Sequence, residues 1–360
     1  MSSNSNAQAI TYKIYITRSD LPYEELARLV HSTWSSQYRK EAIIAYDVDY
    51  LKWITLAEES LCVTANFGNE FVGCAFAYPR TAFSNGHEYN AYYFGILSTH
   101  PNFQNRGIGR ELTNQAIHEC MVRKNADIVV ASFEATSPGW PAFLSALRHS
   151  SIQFEQCKTE QFTIWGAVFD LKVLHQYEPL KGLMRMSLLP GIRNIIQYRK
   201  ESLDIPKVLT DSSPDIRESD YSFGFKTDSN LSPLYHATTG KDAGTFLFEF
   251  NELEQCSISY RIEKMTKQGL PSVLAGHIQL VNAGKTKNKN LIKAFKCMNN
   301  FFLENECLSA FCLNSVPVSP YVLFKSGFVP TERRIHYGLI SPVEKRVKLN
   351  LDGKLYLDLV

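Results

Sequence analysis

One segment, Leu97–Arg110, combines two glycines with arginine, glutamine and asparagine and reads LSTHPNFQNRGIGR. It follows an apolar run typical of a strand and precedes a helical stripe of apolar residues. A helix N-terminus offers unpaired N–H groups and the positive end of the helix dipole, and glycine lets a ligand approach the backbone closely. The segment therefore predicts an anion site, above all for phosphate. A lone Gly-x-Gly can also simply pack a helix against a strand, but the strand, loop and helix together favour phosphate.

Other well-known chemical motifs do not fit the chain. No GxxxxGK[ST] pattern is present, so no P-loop lysine can reach a terminal phosphate. A Rossmann fingerprint is also unsuitable, because the segment has only two glycines, which lie after three predicted strands. There is no GxSxG elbow of a serine hydrolase, and the nine histidines show no HExxH spacing. We therefore predict neither a hydrolase triad nor a metal site.

The glycine segment resembles a family motif. Gln104–Gly109 is similar to motif A of the GNAT superfamily of acyl-CoA-dependent N-acyltransferases, Gln/Arg-x-x-Gly-x-Gly/Ala. Leu97–Pro101, followed by Phe103, resembles the Leu-Ala-Val-His-Pro and aromatic residue found upstream in GNAT chains. The order of predicted elements over Tyr12–Asp170 is also the GNAT order. The resemblance implies an α/β (α+β) fold with a mixed, mostly antiparallel central sheet flanked by helices.

The resemblance also implies where acetyl-CoA, the co-substrate, binds. The backbone amides of Asn105 to Gly109 would hold its pyrophosphate, and the strand end at Leu97 to Thr99 would hold the pantetheine arm and thioester. Either arginine of the loop could contact phosphate or could be a solvated helix residue. The implied acetyl-CoA-binding residues are Leu97, Ser98, Thr99, Gln104, Asn105, Arg106, Gly107, Ile108, Gly109 and Arg110.

Amine acylation needs a base, because only the neutral amine attacks a thioester. In several GNAT enzymes a glutamate on the strand before the loop acts through water, and the resemblance places Tyr93 at that position. A tyrosine whose ordinary pKa is about 10 is a poor base. Glu88 and His87 lie just upstream and can act as bases if they face the cleft, or can be solvated loop residues. We expect Glu88 and Tyr93 to be the catalytic residues.

A general acid for the sulfur is less easily found. Many GNAT members have a tyrosine on the helix after the next strand, but here Phe143 or Leu144 takes its place. The sulfur of coenzyme A must then be protonated by Ser145 or by water, or must leave without a general acid. Glu134 and Ser137, at the end of the preceding strand, are further candidates for contacts with acceptor or cofactor.

The second half of the chain shows a weaker likeness to the same family. Leu323–Phe328 resembles the Leu-Tyr-Glu-Lys-Leu-Gly-Phe ending of GNAT domains, one residue shorter. Where motif A would lie, Val281–Asn290 has no Gly-x-Gly, and its lysines could attract phosphate or form a solvated basic loop. The resemblance therefore implies two domains in tandem, the second degenerate and shaping or covering the acceptor site.

Apolar patterning predicts the elements around the loop. Leu61–Phe67 and Phe71–Tyr78 flank Gly68 and Asn69, which predicts a hairpin. Phe154–Phe169 is predicted to hold two closing strands joined near Glu160. We divide the chain into an acetyl-CoA-binding catalytic domain (1–171), a connector with short helices (172–222), a degenerate GNAT-like domain (223–343) and a C-terminal hairpin (344–360). A basic amphipathic stretch in the connector is interpreted as packed between domains rather than lying on a membrane.

Composition excludes several classes of protein. The chain has 38 basic and 36 acidic residues, a net charge of +2, which gives no reason to expect nucleic-acid binding. The eight cysteines form no CxxC pair and mostly lie in apolar runs, which favours a reduced, cytoplasmic protein. No secretory signal and no apolar stretch long enough to span a membrane is present.

Two functions are consistent with these observations. The first is an N-acetyltransferase that moves the acetyl group of acetyl-CoA to a primary amine by direct attack on the thioester, the amine belonging to a small molecule or a protein. The alternative is a non-catalytic acyl-CoA sensor or interaction module with the same fold, suggested by the missing tyrosine and the degenerate second half. A donor with a longer acyl chain also stays open.

Overall fold

The structure is a computed structural model that describes residues 9–16, 20–38, 43–170, 197–203, 207–210, 218, 221–226, 242–313, 318–352 and 355–357. We call residues up to 170 the first half and those from 197 onward the second half. Most of the predicted connector, including its basic amphipathic stretch, lies outside the described residues.

Fifteen strands and six helices are named here in chain order. The strands are β1 (Ile10–Tyr15), β2 (Ile43–Ile44), β3 (Leu61–Phe67), β4 (Glu70–Ser84), β5 (His87–Thr99), β6 (Ile128–Glu134), β7 (Phe154–Val168), β8 (Lys207–Thr210), β9 (Phe223–Phe225), β10 (Ala243–Asn251), β11 (Glu254–Thr266), β12 (Val273–Asn282), β13 (Cys307–Leu313), β14 (Phe328–Pro342) and β15 (Leu355–Tyr356). The α-helices are α1 (Tyr23–Gln37), α2 (Val48–Ile54), α3 (Ile108–His118), α4 (Gly139–His149), α5 (Asn288–Glu304) and α6 (Pro320–Lys325).

All the strands belong to one continuous sheet. Its main path is β1-β3-β4-β5-β6-β14-β7-β13-β12-β11-β10-β8, with β2, β9 and β15 attached at the side. Neighbouring strands are antiparallel except for β5 with β6, β12 with β13, and β9 with β15. Helix α3 connects the first of these parallel pairs and α5 the second, so the two halves repeat one pattern. The predicted mixed, mostly antiparallel sheet with flanking helices is confirmed.

Two long strands, β7 and β14, are shared between the halves. In β14, Ile335–Ile340 pairs with β6 of the first half, while β14 also pairs with β7 along its length. The last part of β7 pairs with β13 of the second half. The prediction of two strands joined near Glu160 is wrong, because Phe154–Val168 is one 15-residue strand. This segment contains no turn residue in its centre, and its partner β14 comes from the far end of the chain.

The structure describes only parts of the predicted connector and C-terminal hairpin. Of the described residues near the C-terminus, 346–351 lie outside strands and β15 pairs in parallel with the distant β9, so the described part shows no hairpin pairing and the hairpin stays a prediction. Within the predicted connector, β8 is a strand that pairs with β10. The three domain boundaries themselves stay a prediction.

Three apolar clusters hold the sheet and its helices together. On one face of the first half, α3 buries Leu112 and Ala116 beside Phe94 and Phe143. The opposite face is covered by α1 and α2, and the third cluster joins α5 to the strands of the second half. Full burial of each large apolar side chain contributes about 1.5–3 kcal/mol. The helix predicted from the every-fourth-residue pattern after the glycine loop is confirmed by the buried side of α3.

Candidate active site

The glycine loop connects β5 to α3 through two residues with left-handed backbone conformations. Asn105 has φ 61° and Gly107, the residue before the helix, has φ 79°. The Gln104 side chain donates from Nε2 to the carbonyl oxygen of Thr99 at 3.3 Å, which holds the loop against the strand end. No side chain of the described residues caps the start of α3, so its first N–H groups face outward. This arrangement suits an anion, because uncapped helix N-termini bind negative charge.

A cleft of 290 Å³ lies against this loop, and we call it the loop cleft. Helix α1 contributes Trp34 to its wall, and the turn before α4 contributes Ser137 and Pro138. The predicted acetyl-CoA residues that line the loop cleft are Leu97, Thr99, Gln104, Asn105, Gly107, Ile108, Gly109 and Arg110. The sequence therefore predicted the loop side of this cleft, and the structure adds the side formed by α1 and α4.

Two of the predicted acetyl-CoA residues do not line the loop cleft. Ser98 is buried and accepts a hydrogen bond from Nε1 of Trp34 at 2.9 Å, so it supports the wall from behind. Arg106 is exposed, and its guanidinium donates to the carbonyl oxygen of Asn102 and lies over the ring of Phe103. Of the two loop arginines, only Arg110 reaches the cleft.

The strand before the loop is irregular at the point where a thioester would approach. Ile96 has φ 51°, and the register with β4 shifts between Gly95 and Ser98, which marks a β-bulge. The pairing of β5 with β6 ends at Phe94 and Ala131. Beyond this pair the two parallel strands separate, so the backbone on that side of the bulge is free to contact a ligand.

A second cavity of 210 Å³ lies between the two halves, and we call it the central cavity. It shares Trp34, Leu97 and Ser137 with the loop cleft, so the two spaces adjoin at the bulge. Its aromatic lining includes Trp34, Tyr46, Tyr50, Trp53, Tyr78, Tyr93, Phe133 and Phe311. Its charged and amide side chains are Glu134, Glu263, His277, Gln279 and Arg333.

On the first-half side, the cavity is polar where β6 ends. Arg333 of β14 donates to both carboxylate oxygens of Glu134, from Nε at 2.8 Å and from Nη2 at 3.0 Å. Burial and the neighbouring Glu134 carboxylate raise the pKa of Tyr38 well above its ordinary value. Glu134 and Ser137, the further candidates for contacts with acceptor or cofactor, both line the central cavity, and their role stays a prediction.

The two predicted catalytic residues lie in different places. Tyr93 lines the central cavity, stacks on Tyr78 and donates a hydrogen bond from its hydroxyl to Ser132. Glu88 lies near the other end of β5, where it is exposed and ion-paired with Lys226 at 2.5 Å. The structure therefore does not bring Glu88 to the cavity.

Sequence reasoning missed the cavity residues contributed by the second half. Glu263 and His277 come from β11 and β12, and Arg333 comes from β14. No local spacing connects them with the glycine loop, and a single sequence holds no signal of that contact. One missed local signal was Asn85-Gly86, both with positive φ, which turns β4 into β5 and places His87 and Glu88 on a strand rather than in a loop.

The comparisons with known proteins agree with this geometry. Residues 24–138 match the family model described as Acetyltransferase (GNAT) family. The chain contains a GNAT acetyltransferase domain. The resemblance seen in Gln104–Gly109 is thereby confirmed, and so is the prediction that the chain is an acyltransferase.

Solved structures resemble this chain well beyond residues 24–138. Saccharomyces cerevisiae N-myristoyltransferase with bound myristoyl-CoA aligns with a TM-score of 0.65 at 10% identity, covering 91% of this chain and 82% of that one. A provisionally assigned acetyltransferase from Pyrococcus horikoshii aligns with a TM-score of 0.51 at 13% identity, covering 99% and 97%. At these identities the likeness concerns the fold alone. No curated protein matches the chain.

None of the described helices has both the length and the apolar character that crossing a membrane requires. The described residues also contain no group of three or more His, Cys, Asp or Glu side chains placed to hold a metal ion.

Proposed function

We propose that this GNAT chain transfers the acetyl group of acetyl-CoA to a primary amine by direct attack on the thioester. The observation that carries the proposal is the junction of two cavities at the β5 bulge. The loop cleft has the geometry of an anion site, and the central cavity has the aromatic and acidic lining of a site for an amine. A thioester at Leu97 would lie where the two meet.

The loop cleft fits the diphosphate of coenzyme A in two respects. Its N–H groups at the start of α3 are uncapped, and Gly107 leaves the approach to them open, since a β-carbon there would meet only the end of the Arg110 side chain, at 3.6 Å. Arg110 adds a positive charge beside the helix N-terminus. Backbone amides and one guanidinium would together bind the diphosphate.

The central cavity fits an amine because its walls combine rings with carboxylates. Aromatic faces attract cations, and buried carboxylates favour an ammonium group over a neutral one. The acceptor amine belongs to a small molecule or to a protein, and a comparison of small amines with a lysine-containing peptide distinguishes the two. The seven described cysteines are free and buried, which favours a reducing compartment, and we propose the cytoplasm.

The acyl group is the second point of specificity. We propose acetyl because the thioester position opens directly into a cavity that must also hold the acceptor. The yeast N-myristoyltransferase of similar fold was solved with myristoyl-CoA, so longer donors belong in the test. We expect acetyl-CoA to give a higher kcat/KM than octanoyl-CoA or myristoyl-CoA. A reversed order would overturn the acetyl assignment while leaving acyl transfer intact.

The first experiment is titration of the protein with acetyl-CoA by calorimetry, followed by coenzyme A release with three amines: spermidine, 2-phenylethylamine and a lysine-containing peptide. Binding with release supports the proposal. Binding without release from any amine would support the non-catalytic alternative. Absence of binding would remove both.

The matched variant is Gly107→Glu, which places a carboxylate and a side chain against the diphosphate position. We expect acetyl-CoA affinity to fall at least about 100-fold, because like charge is brought to an anion site and the left-handed φ of 79° strains any side chain. Gly86→Glu is the control. Gly86 has a similar φ of 75° and open space around its Cα, but it lies in the β4–β5 turn, outside the residues that line either cavity. Equal affinity in the two variants would overturn the site assignment.

A further inference from the structure

His277 is a buried histidine of the second half that faces the central cavity. Its side chain is 5% exposed, and neither ring nitrogen has a hydrogen-bond partner among the described residues. On β13 the ring of Phe311 stacks on it with a centroid distance of 4.4 Å. A buried imidazole without partners is costly, since burying an unpaired polar group loses its hydration. Its position therefore suggests a partner that arrives with the substrate.

Glu263, on the neighbouring strand β11, is a carboxylate that lies beside His277. Its Oε1 lies 3.7 Å from Nδ1 of His277 and 3.4 Å from Nε of Arg261. Arg261 is itself held over the ring of Trp53, at 3.8 Å from the ring centroid. Glu263 is thus held by Arg261 on the Nδ1 side of the imidazole, which favours a proton on Nδ1 and leaves the lone pair of Nε2 unbound. Nε2 is itself buried, so an amine reaches it only when the side chains that cover it move.

Among the described residues of the first half, none supplies a comparable base to the cavity. Glu134 has both carboxylate oxygens bound by Arg333, and Tyr93 donates its hydroxyl proton to Ser132. Burial raises the pKa of Tyr46 and Tyr50 well above the ordinary value, so both phenols stay protonated. The cavity groups that could remove a proton are therefore His277 and, behind it, Glu263.

We propose that His277 is the general base of the acyl transfer and that Glu263 is its positioning residue. This inference rests on the proposed function and adds to it that the second half, lacking a glycine loop of its own, completes the active site of the first. It also accounts for Tyr93 at the position where several GNAT enzymes have a glutamate base.

The ammonium gives one proton to Nε2 of His277, and the freed nitrogen lone pair forms the C–N bond to the thioester carbonyl carbon. The C–S bond breaks with its electron pair on sulfur, which takes a second proton from the former amine. His277 then releases its proton to solvent. One amide, one coenzyme A thiol and one proton result.

The test compares His277→Ala and Glu263→Gln with His118→Gln, an exposed histidine near the end of α3. The acceptor is whichever of spermidine, 2-phenylethylamine or the lysine peptide wild type acetylates fastest. We expect kcat of His277→Ala to fall about 100-fold or more, the usual contribution of a general base. The KM for acetyl-CoA should be unchanged, because the loop cleft is untouched. His118→Gln should retain wild-type kcat.

Two readouts separate a base from a merely structural histidine. At saturating amine, the ascending limb of the wild-type kcat–pH profile should be lost in His277→Ala, and added imidazole should restore activity at least about 10-fold. The groups around His277 that would shape the profile are Glu263 beside its ring, Arg261 opposite it on β11, and Glu134 and Arg333 in the same cavity. Burial keeps the cavity tyrosines Tyr46 and Tyr50 protonated. Glu263→Gln should lower kcat less and should shift the ascending limb rather than remove it.

Three outcomes would overturn the inference. An unchanged pH profile in His277→Ala would show that another group takes the proton. Loss of the limb in Glu263→Gln, with no imidazole rescue of His277→Ala, would make Glu263 the base. Wild type that binds acetyl-CoA but acetylates none of the three amines would instead refute the proposed function, and the inference with it. A variant that misfolds is recognised by lost acetyl-CoA affinity, and His277→Gln then replaces it.

Discussion

Arg333 joins two parts of the chain that are 199 residues apart, because its guanidinium binds both carboxylate oxygens of Glu134. Glu134 is buried and Arg333 is mostly covered. The paired geometry matches the fork of a guanidinium to the two oxygens of a carboxylate. This contact fixes one wall of the central cavity to a strand that arrives from the second half.

Removing the arginine should therefore be costly. We expect Arg333→Met to lower the free energy of unfolding by about 3 kcal/mol, since it leaves the buried Glu134 carboxylate without its partner. Arg334→Met is the matched control, because Arg334 is exposed on the same strand and makes one 3.4 Å contact with Gln161. Urea unfolding of both variants measures the difference. A cost below about 1 kcal/mol, typical of surface pairs, would contradict this account.

What could be predicted at single residues depended on local spacing. The placement of Gly107, Gly109 and Arg110 followed from a motif only a few residues long, and the structure puts all three at the loop cleft. Glu134 was predicted from its place at a strand end. Its partner Arg333 was beyond prediction, because the contact is made by a strand whose neighbours are set by the whole sheet.

The start of helix α5 shows how the second half differs from the first. Glu254 receives hydrogen bonds there from Asn290, at 2.5 Å, and from Lys287, whose Nζ lies 3.2 Å away. Burial by itself raises the pKa of this carboxyl, but the bonds from Lys287 and Asn290 outweigh it, so the pKa of Glu254 is lowered. A carboxylate of the chain thus lies at the helix start that corresponds to the phosphate position proposed for the first half.

This internal carboxylate predicts a single acetyl-CoA site. We expect calorimetry to give one acetyl-CoA per chain, and Gly107→Glu to remove that binding without exposing a second, weaker site. The lysines of the loop before α5 would then bind no phosphate. This favours the interpretation of that loop as solvated and basic over the interpretation that its lysines attract phosphate. A stoichiometry of two would show that coenzyme A displaces Glu254, and Glu254→Gln should then strengthen the second site.

Elements with their partners nearby were predictable, and those with distant partners were not. The hairpin around Gly68-Asn69 was found because the turn residues and both strands are contiguous. The long strand β7 was divided in two, since fifteen residues exceed the usual strand length and nothing nearby revealed β14 as its partner. The apolar residues that alternate on both sides of Asp352 predicted a hairpin, but β15 pairs with the distant β9.

Because the two halves share β7 and β14, we expect the unfolding of one half to be coupled to the unfolding of the other. Each half would lose a neighbour of its central strands if the other unfolded, and a buried strand edge without partners carries unpaired N–H and C=O groups. We therefore expect one unfolding transition by calorimetry, with equal calorimetric and van't Hoff enthalpies. Acetyl-CoA should raise the temperature of the whole transition, although its proposed site lies in the first half.

A separable second half would contradict this expectation. It would appear as two transitions, of which acetyl-CoA shifts only one. Residues 1–171 produced alone provide a further check, because they lack β14 and should be insoluble or unable to bind acetyl-CoA. Binding with wild-type affinity by this fragment would show that β14 is not needed for the acetyl-CoA site.

The position of β14 late in the sequence also affects folding during synthesis on the ribosome. The chain emerges from its N-terminus, and domains usually fold as soon as their own residues have left the exit tunnel. Here the sheet beside β6 can be completed only after β14 (Phe328–Pro342) has been synthesised, and β14 is almost the last strand of the chain. Until then β6 has an open edge on that side and the wall containing Arg333 is missing. We therefore expect a message that ends before this strand to yield an inactive protein, even though its glycine loop is complete.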